Sequence, residues 1–263
     1  MQTTDAIQRQ SILGTPVDVV NLDRALALIA GWLADNREDL RHVVTVNPEF
    51  VIAARRDPEF ADVLRASALA TADGVGITLA GRVLGVPVGE RIPGVDLVEG
   101  LAGLSATDEH CRLFLLGAGP GVASEAAEQL RRRFPGVRII GTFAGSSTAS
   151  GFAEIETKLA ASGATVLLVA FGHPTQDLWI ARHREALAAH GILVSIGVGG
   201  TFDYLSGRIP RAPRLVRRLG LEWLYRLVRQ PWRWRRQLAL PLFVLLVLRE
   251  RLRSLWPKTT TTT

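Results

Sequence analysis

The stretch that decides the fold is Arg112-Leu113-Phe114-Leu115-Leu116-Gly117-Ala118-Gly119-Pro120-Gly121, an apolar run that ends in a glycine-rich loop. The apolar run predicts a buried strand, and residues 122–134 after the loop predict a helix. A strand, a loop and a helix in this order form the first part of a βαβ unit, whose next strand lies parallel to the first. The stretch therefore predicts a parallel sheet covered by helices.

The same alternation of strands and helices continues along most of the chain. We expect an α/β fold over residues 1–207, with a Rossmann-like, mostly parallel sheet and helices on both faces. Ligands of such sheets bind at the carboxyl ends of the strands, so the polar and glycine-rich residues that follow the predicted strands should meet at one edge. These are Thr45, Asn47, Asp73 and residues 117–121, 172–176 and 199–203.

Composition and charge indicate the compartment and the kind of partner to expect. The single cysteine, Cys111, excludes a disulfide framework within the chain and fits a reducing compartment. Residues 1–10 are polar and lack the apolar core of a secretory signal, which predicts a cytoplasmic protein. Residues 208–258 hold 14 basic and 2 acidic side chains, a net charge of +12, whereas the remaining chain is at −6. Such a segment predicts an anionic partner (a lipid headgroup, a phosphorylated substrate or a nucleic acid), with a solvated surface helix as the alternative.

The basic segment also has the pattern of a membrane surface. Arginines and tryptophans recur near helical spacing over residues 214–229, which predicts an amphipathic helix. The apolar run 238–248 has 11 residues, whereas a helix needs about 20 to span a bilayer, so the run lies on a membrane or is buried. Tryptophans near basic residues are typical of interfacial anchors, and the segment has three: Trp232, Trp234 and Trp256. We expect residues 208–263 to form a helical, basic, membrane-associating appendage.

Asp73 is the candidate general base. It lies between Ala72 and Gly74 at the end of a predicted strand, where partial burial raises the proton affinity of a carboxylate. Capping of the next helix is the alternative. Thr45 and Asn47 alternate with valines, so both point to one face of their strand end. They bind a sugar or, alternatively, cap the helix that begins at Pro48.

Other residues bear on the ligand. The loop at Gly117 and Gly119 resembles a phosphate cradle, but it lacks the third glycine and the later acidic residue of a dinucleotide site, and a turn without a ligand is the alternative. Gln176 follows a Gly-His-Pro turn that aims its amide at the sheet edge.

No residues stand at metal-ligand spacing and no Asp-x-Asp pair occurs, so we expect no metal cofactor. The charge of a departing nucleoside diphosphate would then fall to arginines. The candidates are Arg226, Arg233 and Arg236. Contacts of these side chains with lipid headgroups are the alternative.

Six motifs in order resemble the WecG/TagA/CpsF family of glycosyltransferases (family 26). They are Thr45-Val46-Asn47-Pro48, Ala72-Asp73-Gly74-Val75-Gly76, Arg91-Ile92-Pro93-Gly94-Val95-Asp96, Gly172-His173-Pro174-Thr175-Gln176-Asp177-Leu178-Trp179, Gly197-Val198-Gly199-Gly200-Thr201-Phe202-Asp203, and Arg211-Ala212-Pro213 through Gly220-Leu221-Glu222-Trp223-Leu224-Tyr225-Arg226. The resemblance covers about residues 43–236. Two positions depart from it: Asp177 stands where Glu is usual, and Ala144-Gly145-Ser146-Ser147 lacks a common aromatic residue, which bears on nucleotide stacking and donor choice.

The resemblance implies inverting, metal-independent transfer of a sugar from a UDP-sugar to a polyprenyl-diphosphate-linked saccharide in cell-surface polysaccharide biosynthesis. The sugar would be of the N-acetylmannosamine type, its uronate, glucose or similar. The resemblance also implies residue roles: Asp73 as base, Thr45, Asn47 and Gln176 in the acceptor and sugar pocket, Asp203 at the uridine, and Arg226, Arg233 and Arg236 closing over the diphosphate.

The expected partners are the UDP-sugar, the lipid-linked acceptor and the inner face of the cell membrane, to which the protein would bind peripherally. Nucleic acid is not expected as a partner, and a homo-oligomer is compatible with the sequence. One alternative function is a nucleotide-dependent oxidoreductase that uses the Gly117 loop. The other is a membrane- or nucleic-acid-binding protein without catalysis.

Overall fold

The computed structural model describes residues 7–35 and 39–255, without the side chains of Arg214, Arg218 and Arg233. The sequence predictions for Trp256 and for the Arg233 side chain therefore lie outside the described residues. The expected α/β fold is confirmed: a six-stranded parallel sheet has helices on both faces. An antiparallel hairpin of β1 (Arg9–Ile12) and β2 (Thr15–Asp18) comes before the sheet.

The sheet has the strand order β4-β3-β8-β7-β5-β6. Its strands are β3 (Arg41–Val46), β4 (Leu69–Ala72), β5 (Leu113–Gly117), β6 (Ile139–Phe143), β7 (Val166–Ala170) and β8 (Val194–Gly197). Because β4 lies on one side of β3 and the later strands fill the other side, the direction of winding reverses between β3 and β8. Ligands of doubly wound sheets bind at such a reversal, outside the carboxyl ends of the strands.

Ten helices of the described residues precede the basic segment. They are α1 (Leu22–Asp35), α2 (Pro48–Ala54), α3 (Pro58–Arg65), α4 (Val75–Leu84), α5 (Gly94–Thr107), α6 (Val122–Arg133), α7 (Phe152–Ala160), α8 (Thr175–Arg182), α9 (Arg184–Ala189) and α10 (Thr201–Leu205). Pro48 and Pro58 begin α2 and α3, where a missing backbone N–H costs nothing. The sequence predicts one helix over residues 176–190, whereas the structure divides it at His183 into α8 and α9; the His183 ring stacks on Phe152 with the ring centres 4.0 Å apart.

Alternate residues of each strand enter the two cores on opposite faces of the sheet. Val43 packs in the core that includes residues of α1, α5 and α6. Val44 faces the other way, into a core with residues of α2, α3 and α4. The sheet is therefore buried on both faces, as an all-parallel sheet requires, and its ligand-binding edge is left at the strand ends.

Four α-helices form the C-terminal part as far as residue 255, α11 (Arg214–Arg218), α12 (Glu222–Arg229), α13 (Trp234–Gln237) and α14 (Ala239–Leu255), with a short 3-10 helix at Pro231–Arg233. The apolar run that the sequence places on a membrane or in a core is mostly α14, which has one buried face and one exposed face. Phe243 and Val247 are buried in the core with Val44, whereas Val244, Leu245 and Leu248 on the other face are exposed. Among the described residues, no helix combines the length and the apolar character needed to cross a membrane.

Candidate active site

A cavity of about 240 Å³ opens at the carboxyl ends of β3, β4, β7 and β8. Its lining from the sheet includes Thr45, Asn47, Asp73, Arg91, Gly172, His173, Gln176, Gly199, Gly200 and Tyr204. The C-terminal part closes the cavity with Glu222, Trp223, Arg226, Arg236 and Leu240. The site is thus formed jointly by the sheet edge and the basic segment.

Asp73 directly follows β4, and its backbone N–H donates to the carbonyl of Val46 at 2.7 Å. It does not cap α4, because the N-cap position belongs to Gly74, with a φ of 96°. The side chain instead lines the cavity. The pKa of the Asp73 carboxyl is raised to about 7, first by burial and next by the charges of Glu222 and Asp96, against the charges of Arg91 and Arg226, which lower it. A carboxyl group with this pKa is suited to accept a proton near neutral pH.

Charged groups surround Asp73 on the side of the basic segment. Glu222 lies 3.6 Å from Arg91 Nη2 and 3.6 Å from Arg211 Nε. Arg211 Nη2 in turn lies 2.6 Å from Asp96 Oδ1. Acidic and basic groups therefore alternate from α5 to α12, and two of them, Arg91 and Glu222, line the cavity.

Thr45 and Asn47 both line the cavity, and both also make structural hydrogen bonds. The Thr45 hydroxyl donates to the carbonyl of Gly197 at 3.2 Å, which ties β3 to the end of β8. The Asn47 side-chain oxygen accepts from the backbone N–H of Phe50 at 3.1 Å and so caps α2. The capping alternative thus describes Asn47, and contact with a sugar stays a prediction for both residues.

Gln176 links the loops that follow β7 and β8. Its side chain is buried, and its Oε1 accepts from the backbone N–H of Gly199 at 2.9 Å and of Gly172 at 3.2 Å. A Cβ at Gly197 would lie 2.5 Å from Gln176 Nε2 and 2.5 Å from Asp177 Oδ1, so only glycine fits there. The Gln176 oxygen therefore connects these two loops at the sheet edge, where the sequence places the amide, and contact of Gln176 with a ligand stays a prediction.

Arg226 lies over the loop after β8. Its guanidinium is 4.8 Å from the centre of the Tyr204 ring, and its Nε donates to Gln230 Oε1 at 3.3 Å. Its Nη2 is buried and has no hydrogen-bond partner among the described residues. A Cβ at Gly200 would lie 2.2 Å from this nitrogen. A cationic donor left unpaired in a cavity favours an anionic ligand.

Arg236 lines the opposite side of the cavity and is engaged with two neighbours. Its Nη2 donates to Glu49 Oε2 at 2.9 Å and lies 2.8 Å from His173 Nδ1. The His173 ring stacks on Phe50 with the ring centres 4.9 Å apart. These contacts join α13 to α2 and to the turn after β7.

Gly117, Gly119 and Asp203 lie outside the lining of the cavity, although the sequence places all three at the ligand edge. A Cβ at Gly117 would lie 2.8 Å from the Ala170 carbonyl carbon, so this glycine allows close packing of β5 on β7. Arg208 lies beside the exposed part of the loop, where it pairs with Glu125 at 2.6 Å and donates to the Pro120 carbonyl at 3.2 Å. The Asp203 carboxylate lies beside Gly200, since a Cβ there would be 3.3 Å from Asp203 Oδ2. Their contacts with a nucleotide stay predictions.

Sequence reasoning missed several charged residues of the cavity, above all Arg91, Glu222 and the pair Glu49 and His173. Glu222 carried a usable signal, because it is one of two acidic residues in a segment with 14 basic ones. Arg91 and His173 carried none beyond their place in the motifs, and Glu49 lies in none of them, because the approach of these side chains to the cavity depends on how separate segments pack.

A family model, described as "Glycosyl transferase WecG/TagA/CpsF family", matches residues 10–256. The chain belongs to this family. Two relatives are both named N-acetylglucosaminyldiphosphoundecaprenol N-acetyl-beta-D-mannosaminyltransferase. The one from Bacillus spizizenii (strain W23) is 36% identical over 215 residues, which are 82% of this chain and 81% of the relative. The one from Bacillus subtilis (strain 168) is 35% identical over 212 residues, or 79% of each chain.

Membership of the WecG/TagA/CpsF family makes the chain a glycosyltransferase. The family match includes the sheet edge and the C-terminal helices that together form the cavity. Within the described residues, no group of three or more His, Cys, Asp or Glu side chains has the arrangement of a metal site. Metal independence itself stays a proposal.

Proposed function

We propose that the protein transfers a sugar of the N-acetylmannosamine type from a UDP-sugar to N-acetylglucosamine linked to a polyprenyl diphosphate, with inversion and without a metal ion. The observation that carries this proposal is that two groups share one cavity. One is the Asp73 carboxyl, whose pKa is raised to about 7, and the other is the Nη2 of Arg226, which has no hydrogen-bond partner among the described residues. The names of the two relatives support the choice of sugar and acceptor. The family places the reaction in cell-surface polysaccharide biosynthesis.

The reaction proposed is a single displacement. Asp73 accepts the proton of the acceptor hydroxyl while that oxygen forms a bond to the anomeric carbon. The bond from the anomeric carbon to the diphosphate oxygen breaks at the same time, and its electron pair leaves with UDP. Because attack and departure occur on opposite faces of the carbon, one displacement inverts its configuration.

Arginines stabilise the negative charge that grows on the departing UDP. Arg226 is placed for this role, because its Nη2 has no protein partner among the described residues. Arg236 would have to exchange Glu49 for the diphosphate, since the two side chains are 2.9 Å apart. By the family resemblance Arg233 acts with them, and Asp203 contacts the uridine.

The C-terminal part supports peripheral binding to the inner face of the cell membrane. Val228, Trp232, Trp234 and Leu245 all expose at least half of their surface. Arg229, Arg235 and Arg249 are exposed in the same helices. Exposed apolar and cationic side chains together are typical of a surface that enters lipid headgroups. Such a surface would bring the cavity close to an acceptor that is itself held in the membrane.

The test is UDP release by the purified chain from a panel of UDP-sugars, with and without a polyprenyl-diphosphate-linked N-acetylglucosamine analogue and with and without EDTA. We expect release only when the acceptor is present, most rapidly from UDP-N-acetylmannosamine, and unchanged by EDTA. Loss of activity in EDTA that returns with a divalent cation would contradict metal independence. Faster turnover of another donor would replace the sugar and leave the rest of the proposal in place.

Neither alternative function is favoured by the described contacts. The Gly117 loop of the oxidoreductase alternative lies outside the lining of the cavity. Steeply salt-dependent binding to DNA or RNA, without UDP release from any donor, would support the nucleic-acid alternative. Family membership favours glycosyl transfer over both.

A further inference from the structure

Glu222 is an acidic residue in a basic segment, and it lines the cavity. The other acidic residue after Arg208 is Glu250, which is exposed on α14 near Arg253. Glu222 is the first residue of α12, where a carboxylate is also favoured by the positive end of the helix dipole. Within the described part of the basic segment, Glu222 is the carboxylate that lines the cavity, beside the proposed base. Its position therefore suggests a role at the site.

The contacts of Glu222 connect α12 to the strand end that carries Asp73. One carboxylate oxygen lies 3.6 Å from Arg91 Nη2 and the other lies 3.6 Å from Arg211 Nε. Arg91 precedes Ile92, whose backbone N–H donates to the carbonyl of Ala72 at 2.8 Å. Ala72 is the residue before Asp73, so α12 and this strand end are fixed to each other.

Because Arg226 lies one turn after Glu222 on α12, contacts that hold Glu222 also affect the position of Arg226. Residues four apart on a helix lie on the same face, and both Glu222 and Arg226 line the cavity. The guanidinium of Arg226 lies over Gly200, within 2.2 Å of where a Cβ would be, so its place depends on where α12 is held. Holding the first turn of α12 therefore also holds the arginine that faces the ligand.

We propose that Glu222 is the positioning residue of the site, which fixes α12 through Arg91 and Arg211, places Arg226 over Gly200 and sets the charge that Asp73 faces. The role in catalysis rests on the proposed function. Arg91 and Asp96 face Asp73 from the segment that begins α5, and Glu222 and Arg226 face it from α12. After burial, Glu222 is the largest cause of the raised pKa of Asp73, so its removal should lower that pKa.

The kinetic test compares Glu222→Gln, Glu222→Asp and the control Glu59→Gln across pH 5 to 9. Glu59 is an exposed carboxylate paired with Arg182 at 2.9 Å, outside the cavity. For Glu222→Gln we expect kcat to fall by roughly 10-fold and the rising limb of the pH profile to move to lower pH. For Glu222→Asp, which keeps the charge but withdraws it from both arginines, we expect a lower kcat with the limb near that of the wild type.

A second measurement needs no catalysis, so it separates this proposal from the proposed function. Melting temperatures of the wild type, Asp73→Asn, Glu222→Gln and the double variant are compared at pH 5 and pH 8. We expect Asp73→Asn to raise the melting temperature at pH 8 by less when Glu222 is already Gln, because less negative charge then opposes the ionised Asp73. The difference should shrink at pH 5.

The outcomes are distinct. An equal effect of Asp73→Asn in both backgrounds at pH 8, or a wild-type kcat and pH profile for Glu222→Gln, would overturn the role of Glu222. Asp73→Asn could raise the melting temperature by less in the Glu222→Gln background while the protein releases UDP from no donor. That result would support the coupling of Glu222 to Asp73 and contradict the proposed reaction. Changes as large in Glu59→Gln would assign the effect to the loss of any carboxylate and overturn the proposal.

Discussion

Asp73 is an acid whose charged form is disfavoured by its surroundings, and this has consequences for both activity and stability. Its ordinary pKa of 3.8 is raised to about 7, mainly by burial. The unfolded chain therefore loses this proton at lower pH than the folded protein does, so the native state becomes less stable as pH rises from about 4 to 7. The group is at its most destabilising above pH 7, where the proposed base has to be ionised.

Asp73→Asn should separate the two effects. We expect kcat to fall by about 100-fold or more. The free energy of unfolding at pH 8 should rise, because Asn carries no buried charge, and the pKa shift limits this rise to about 4 kcal/mol. At pH 4 the stability of the two proteins should be nearly equal. Turnover and urea unfolding at both pH values check this. Asp62→Asn, at an exposed site, is the control, and unchanged turnover for Asp73→Asn would remove it from the role of base.

Gly200 offers a test of Arg226 that leaves the arginine in the chain. Its φ of −82° is open to alanine, but an added Cβ would lie 2.2 Å from Arg226 Nη2. We expect Gly200→Ala to displace the guanidinium and lower kcat/KM by roughly 10- to 100-fold, with a nearly unchanged melting temperature. Gly31→Ala is the matched control, because nothing lies within 4 Å of its added Cβ. Wild-type kinetics for Gly200→Ala would mean that the position of Arg226 is unimportant.

At the scale of the element, α14 has one face in the core and one face in solvent. Phe243 is 3% exposed and Leu245 is 62% exposed, two residues apart on the same helix. Phe243→Ala should lower the free energy of unfolding by about 3–5 kcal/mol, whereas Leu245→Ala should change it by less than about 0.5 kcal/mol. Urea unfolding measures both. Equal stability of the two variants would mean that α14 does not belong to the folded core.

The sequence predicts the elements of the fold well, because each signal for them is local. Pro48 and Pro58 stand in the first turn of α2 and α3, as the sequence predicts. The division at His183 was not predicted, since no glycine or proline marks it in the sequence. Gly117 shows the same limit at the site: glycine is needed both where a backbone approaches a phosphate and where two strands pack closely, and the sequence alone does not separate these uses.

The candidate site could be predicted in part for the same reason. Asp73, Thr45 and Gln176 follow predicted strands, so their meeting at one edge follows from the parallel sheet. The partners of each side chain come from distant parts of the chain: Gln176 accepts a hydrogen bond from Gly199, and Glu222 lies beside Arg91. Such contacts become visible only once the helices are packed.

At the scale of the whole molecule, charge is divided between a sheet domain with an excess of acidic residues and a C-terminal part at +12. The exposed apolar side chains lie mainly in the same C-terminal part, among them Leu215, Val228, Trp232 and Leu252. Each basic residue near an anionic bilayer contributes about 1 kcal/mol to binding, and salt screens this attraction beyond about 10 Å at 0.1 M ionic strength. The molecule is therefore expected to approach a membrane with the basic segment facing the lipid.

The variant Trp232→Ser/Trp234→Ser tests this orientation, since these side chains are 72% and 52% exposed. We expect wild-type protein to sediment with vesicles that contain anionic lipid, less with neutral vesicles, and progressively less as salt increases. The double variant should bind anionic vesicles more weakly at every salt concentration with an unchanged melting temperature, because it loses interfacial anchors but no core contact. Ile140→Ser, at an exposed position of β6 outside the basic segment, should bind like the wild type. Equal binding of all three proteins would mean that another surface meets the membrane, and the lipid-linked acceptor would then have to reach the cavity from a different side.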